Sequence, residues 1–370
     1  MIPIYAPYLP EKYRKSAHQC IDSGWISNHG IYIKLASDKL SSIIGSKYCI
    51  LMSNGTCATH ALFMAVRFKH PTIRTFYLPD GCFIAPHNCA LMEFGRETDV
   101  QFKLLKMDNN TMNMCCDEES IATLDNGSCV VVVHNYGGIV NVPRLKTLRP
   151  DLIFIEDNCE GLFGTYGGVY SGTAALCSSA SFYGNKILTT GEGGAFFTND
   201  VDIYNYISRV YSHGMTNHRY VHDVVGFNYR MTNVQAAFLY DQLMDLPSIL
   251  RMKRFVFETY TNIILNSPIL LKHITFITSE TNTIRADWIF SIKMSTIGSY
   301  DDVERYMSMR EIQIRPFFHP IYAHQHLREI YPITTPPLPY IGVMLPSSPD
   351  LKYDDIKYIL LNLEGYIINN

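Results

Sequence analysis

Ser181-Phe182-Tyr183-Gly184-Asn185-Lys186-Ile187-Leu188-Thr189-Thr190-Gly191-Glu192-Gly193-Gly194-Ala195 is the stretch that most constrains this chain. A short apolar run, Ser178 to Phe182, leads into it, and a second, Ala195 to Thr198, leaves it. Between them sits one lysine among small and apolar neighbours. Desolvation favours the neutral form of such an amine, and a neutral amine can condense with a carbonyl to form a Schiff base. The glycines behind Lys186 let backbone approach a ligand without Cβ obstruction.

Working outward, short apolar runs alternate with longer helical stretches from about residue 45 onward, the pattern of an α/β protein. Candidate strands are 48–52, 75–78, 129–134, 152–156, 178–182 and 195–198. Several are apolar throughout, as strands covered on both faces are. Helices are predicted over 56–68, 233–246, 248–265 and 300–309. Pro332, Pro336, Pro337 and Pro339 remove backbone donors and fix φ, so 332–339 reads as a loop. It falls within a smaller C-terminal domain starting near residue 250.

The 370 residues suffice for a large core and two domains. With 47% hydrophobic and 18% charged residues, the composition is that of a folded soluble chain. A net charge of −3 without a Lys/Arg stripe argues against nucleic-acid binding. The longest apolar runs are strand-sized, which excludes a membrane span, and the start lacks a signal-peptide pattern, so a cytoplasmic location is expected. Ten scattered cysteines read as reduced thiols, and thirteen histidines show no metal-ligand spacing.

The run Leu152-Ile153-Phe154-Ile155 ends in Glu156-Asp157, and ligands of open α/β sheets gather at such strand ends. Asp157 can pair with a protonated ring nitrogen there, or cap a helix. Glu160 can reach the same ligand or complete a capping box. Ser53-Asn54-Gly55-Thr56 opens a helix after a strand, a geometry that offers amides and a dipole end to a phosphate, or merely an ordinary turn. Phe83 can stack on a flat ring or join the core, and the Ser181 hydroxyl can bind phosphate or nearby backbone. Cys159 reads as a packing residue.

Together these segments, with Gly24-Trp25-Ile26-Ser27, Ser212-His213-Gly214-Met215, Asn228-Tyr229-Arg230-Met231 and Arg315-Pro316-Phe317-Phe318, resemble the DegT/DnrJ/StrS sugar aminotransferases. The resemblance spans nearly the whole chain. It implies a pyridoxal-phosphate enzyme of fold type I: a mostly parallel seven-stranded sheet in a large domain, residues 1–249, and a smaller α+β domain, residues 250–370. It also implies that Lys186 forms the Schiff base and shuttles the proton, and that Asp157 pairs with the pyridinium nitrogen. Phe83 would stack on the ring, Glu160 would face its phenolate side, and Gly55, Thr56 and Ser181 would hold the phosphate. Asn228 would reach the neighbouring subunit's cofactor, which makes the enzyme a homodimer. Trp25, Ser27 and Asn28 would lie at the sugar-nucleotide pocket. Arg230 and Arg315 are the candidate cations for nucleotide and glutamate carboxylate, or ordinary surface pairs.

Within the family, the segments look most like perosamine-synthase-type enzymes. These move the amino group of L-glutamate to C4 of a dTDP- or GDP-linked 4-keto-6-deoxyhexose, through pyridoxamine phosphate and with release of 2-oxoglutarate. A 3-keto or acetamido-keto sugar is the alternative acceptor. A related dehydratase group carries histidine in place of the lysine, so Lys186 points away from elimination. A non-catalytic binding protein would be expected to lack Lys186 or Asp157. The chain departs from the family pattern at Asp157-Asn158-Cys159-Glu160, which places a polar Asn158 beside the expected cofactor.

Overall fold

The structure is a computed structural model that describes residues 1–295, 297–331 and 339–370. The predicted proline-rich loop, save Pro339, therefore lies outside the described residues. The large sheet has seven strands in the spatial order Tyr48–Met52, Gly194–Thr198, Cys177–Ser181, Ile153–Asp157, Cys129–Val133, Thr75–Pro79 and Gln101–Leu105. Its neighbours pair in parallel except Gly194–Thr198, which runs antiparallel to both strands beside it.

Both faces are covered, which explains the uninterrupted apolar runs. Side chains alternate across a strand. Val131 and Val133 accordingly join one core with the helix Gly55–Lys69, while Val130 and Val132 join another with Val142 and Leu145. Across the other end of the sheet, Leu51, Ala195 and Phe197 pack with Ala36 and Leu40 of the helix Ile31–Ile44 and with Ala236 and Leu239 of the helix Asn233–Met244. The Gln101–Leu105 strand was not expected from the sequence. It is an edge strand whose first four residues are only partly covered, so it carries no apolar run.

A second, four-stranded antiparallel sheet orders Ile274–Phe276, Ser291–Met294, Ile341–Met344 and Arg315–Pro316. Helices Leu246–Leu265, Tyr300–Ser308 and Tyr353–Asn369 share its core through Val256, Tyr260, Val303, Met307, Ile359 and Leu363. The expected cut at 249/250 falls inside a helix and not in a linker. The helix Leu246–Leu265 runs through it, with Ile249 in the large core and Val256 in the small one. The chain start also crosses over, since Ile2 bridges to Ile312. Among the described residues, no helix is long and apolar enough to cross a membrane.

Candidate active site

The site forms where the strands Ile153–Asp157 and Cys177–Ser181 end beside the start of the helix Gly55–Lys69. The parallel register sets Asp157 opposite Ser179. The Asp157 carboxylate is buried and accepts from the Thr59 hydroxyl at 3.2 Å, the Cys159 amide at 3.0 Å and the Ser179 hydroxyl at 3.4 Å. A carboxylate with three donors is held in one orientation. No helix begins at Asp157, so the capping alternatives for Asp157 and Glu160 fall away.

Thr59 and Ser179 were not singled out from the sequence, although a signal existed. Thr59 lies one helical turn beyond Gly55, and Ser179 lies two strand positions before Ser181, so each shares a face with an expected ligand contact. Gly55 itself is required by close approach. A Cβ there would sit 2.8 Å from Ser181 Cβ, 3.0 Å from Ser181 Oγ and 3.2 Å from Cys159 Sγ. Asn54 is extended and caps this helix by accepting from Cys57 N at 2.8 Å. The first turn of a helix has amides with no intrahelical acceptor, here those of Gly55 and Thr56, and Thr56 is exposed.

Lys186 closes the other side. Its Nζ lies 3.8 Å from the centroid of the Trp288 ring and 3.9 Å from Glu160 Oε1, and its side chain is 13% exposed. Its backbone is fixed on both sides, because Tyr5 Oη donates to the Lys186 carbonyl at 2.9 Å and Trp288 Nε1 to the Asn185 carbonyl at 2.8 Å. Glu160 Oε2 accepts from Tyr136 N at 2.8 Å. Burial pushes the Glu160 carboxyl up to about 7, against an opposing pull from Lys186. Cys159, read from the sequence as a packing residue beside the site, lines the same recess as Lys186, Glu160, Ser181 and Trp288. Burial and nearby Asp157 push its thiol well up, so it stays neutral. Asn158 does not face this recess as expected; its amide exchanges hydrogen bonds with Ser171 at 3.1 and 2.9 Å.

The remaining candidates surround this centre. Phe83 is half exposed and meets Phe318 edge-on at 5.8 Å; Phe318 stacks on Tyr136, the residue that holds Glu160. Asn228 is exposed and accepts from Arg230 Nε at 2.9 Å, while Arg230 also reaches His213 Nε2 at 3.1 Å. Their segment runs beside the helix start, as Ser53 N donates to Tyr229 O and Met52 bridges to Arg230. Trp25, Ser27 and Asn28 lie on a separate surface loop, tied to Asn233 through the Trp25 and Ser27 carbonyls at 2.6 and 2.8 Å. Arg315 is exposed on the small sheet, where its charge acts on Tyr300. Among the described residues, no group of three or more His, Cys, Asp or Glu side chains could hold a metal ion.

An amine, an oriented carboxylate at a strand end and a glycine cradle at a helix start fit pyridoxal phosphate, and on this sheet they define a fold-type I pyridoxal-phosphate enzyme. The DegT/DnrJ/EryC1/StrS aminotransferase family matches residues 7–364. GDP-perosamine synthase of Escherichia coli O157:H7 is 30% identical over 371 residues, covering 99% of this chain and 98% of that protein. Helicobacter pylori PseC, an aminotransferase involved in the biosynthesis of pseudoaminic acid, superposes over all of both chains with a TM-score of 0.88 at 21% identity. The E. coli GDP-4-keto-6-deoxy-D-mannose-3-dehydratase with bound hydrated PLP has a TM-score of 0.86 at 18% identity, covering 98% of this chain and 99% of that one. The chain belongs to the DegT/DnrJ/EryC1/StrS aminotransferase family, and it is a pyridoxal-phosphate-dependent nucleotide-sugar aminotransferase.

Proposed function

We propose that this enzyme transfers the amino group of L-glutamate to C4 of a nucleotide-linked 4-keto-6-deoxyhexose, with guanosine diphosphate as the first candidate carrier and deoxythymidine diphosphate as the second. The products are 2-oxoglutarate and a 4-amino-4,6-dideoxy sugar. The observation that carries this reading is the 30% identity to GDP-perosamine synthase over nearly the full length of both chains, a relative whose name gives both nucleotide and sugar class. Lys186, seated between Trp288 and Glu160, supports transamination over the elimination performed by dehydratase relatives.

Pyridoxal phosphate, when bound, supplies an electron-withdrawing ring that stabilises charge on the carbon losing its proton. The chain's own residues do the rest. Lys186 Nζ removes the proton from the amine-bearing carbon of glutamate and, in the second half-reaction, delivers one to C4 of the sugar. Asp157, held by Thr59, Ser179 and the Cys159 amide, would pair with the ring nitrogen. Gly55, Thr56 and Ser181 would hold the phosphate, and Glu160 and Phe83 would contact the ring. Asn228 serves the neighbouring protomer's site, so the homodimer is the working unit. Trp25, Ser27 and Asn28 line the sugar-nucleotide approach, and Arg230 and Arg315 supply cations for diphosphate and carboxylate.

The test is a panel of GDP- and dTDP-linked 4-keto and 3-keto sugars, each incubated with glutamate and analysed by mass spectrometry. Amination of the GDP-4-keto-6-deoxyhexose is expected to have the highest kcat/KM. Preference for a 3-keto sugar would replace this assignment.

A further inference from the structure

Lys253 is sealed inside the protein with no exposed surface. Its Nζ donates to the Trp288 carbonyl at 2.9 Å and to the Ser347 carbonyl, and it lies 4.8 Å from the Tyr5 ring centroid and 5.8 Å from that of Phe257. Burying an ammonium is expensive; an apolar side chain of similar length would avoid that penalty but would leave the Trp288 and Ser347 carbonyls without this donor. Burial lowers the Lys253 amine to about 7, against an attraction from Asp287 that raises it.

The residues it touches suggest another role. Trp288 places its ring against Lys186 Nζ and donates its indole N–H to Asn185 O, and Tyr5 donates its hydroxyl to Lys186 O. Lys253 thus sits directly behind both groups that seat the active-site lysine. It ties the helix Leu246–Leu265, the chain start, the Trp288 segment and the Ser347 turn at one point.

We propose that Lys253 is a positioning residue for transamination, fixing Trp288 and Tyr5 so that they set the backbone and amine of Lys186. The proposal rests on the reading of Lys186 as the cofactor-binding amine. It predicts that the geometry of Lys186 suffers when the Lys253 ammonium is removed, even where the fold remains intact.

The experiment follows capture of pyridoxal phosphate by cofactor-free full-length protein. Samples are reduced with borohydride at timed intervals, and the adduct on Lys186 is quantified by peptide mass spectrometry. Lys253→Met, which leaves the Trp288 and Ser347 carbonyls without this donor, is expected to lower the thermal midpoint and to slow capture at least tenfold at a temperature where the variant is still fully folded. In a Trp25→Phe background, which leaves Trp288 as the sole tryptophan, Lys253→Met should also shift the fluorescence emission to longer wavelength. Capture at the wild-type rate overturns the proposal. Should Lys253→Met unfold without cooperativity, Lys253→Gln decides instead, since it removes the ammonium but keeps a neutral donor on the same helix position. Tenfold slower capture supports the proposal, and an unchanged rate overturns it. If wild-type protein itself forms no adduct at Lys186, the reading of that lysine fails first, and the proposal falls with it.

Discussion

Glu160 Oε1 lies 3.9 Å from Lys186 Nζ, with the carboxyl buried and its other oxygen held by Tyr136 N. Burial raises its folded pKa to about 7 from an ordinary 4.5. Between those values the folded state binds more protons than the unfolded chain, so this group's contribution to stability is fully present below pH 4.5 and is lost as pH rises toward 7. The shift is worth about 3 kcal/mol. Denaturant titrations of cofactor-free protein across that window should show a downward slope that flattens in Glu160→Gln. Equal slopes would show that Glu160 ionises as it does in water.

Thr59 donates to Asp157 at 3.2 Å, and Thr59→Val keeps the shape while deleting the donor. A lost hydrogen bond to a charged group costs about 1.5–3 kcal/mol. Pyridoxal-phosphate affinity, measured by absorbance titration, should weaken by about tenfold or more, and Asp157→Asn should weaken it further.

At Gly55, an added methyl collides with Ser181 at 2.8 Å and must displace it. Gly55→Ala is therefore expected to lose about 1–3 kcal/mol of stability and most of its cofactor affinity. Because Ser181 is the obstacle, Gly55→Ala/Ser181→Gly should recover the stability without recovering the affinity. Differential scanning calorimetry and the same absorbance titration separate the two effects.

Asn233 holds the Trp25–Tyr32 loop from beneath: Nδ2 donates to Trp25 O at 2.6 Å, and Oδ1 accepts from Tyr32 N at 2.9 Å. A Cβ on Gly30 would fall inside the Asn233 side chain. Asn233→Ala leaves those backbone groups unpaired, about 1–3 kcal/mol for a buried site. Steady-state kinetics should show a raised KM for the nucleotide sugar with the KM for glutamate unchanged.

The shared-site reading of Asn228 predicts complementation. Lys186→Ala and Asn228→Ala homodimers should each be impaired, and subunits mixed by mild denaturation and refolding should regain activity, because one site per heterodimer is then intact. No gain in a mixture shown by native mass spectrometry to contain heterodimer would place Asn228 in its own protomer's site.

Most of the large sheet was legible because strands covered on both faces must be apolar, as in Cys129–Val133 and Ile153–Asp157. Lys186, Asp157, Ser181 and Gly55 were legible because short segments at strand and helix ends put them at one edge of the sheet. Trp288 and Lys253 were not, because Trp288 meets Asn185 across 103 positions and Lys253 meets Trp288 and Ser347 across 35 and 94, and no local pattern marks them. Asn158 misled for a local reason: the chain turns after Asp157, and its amide goes to Ser171 instead of the recess. The boundary near 250 falls within a helix that serves two cores, and such a helix looks like any other amphipathic helix in sequence.

The most direct test of the central claim is the absorption spectrum of purified protein loaded with pyridoxal phosphate, before and after L-glutamate and no other substrate. A visible band that glutamate bleaches with release of one equivalent of 2-oxoglutarate, and that is missing in Lys186→Ala, is the predicted result. A wild-type spectrum that glutamate leaves unchanged, or a Lys186→Ala protein that bleaches like wild type, would contradict the account.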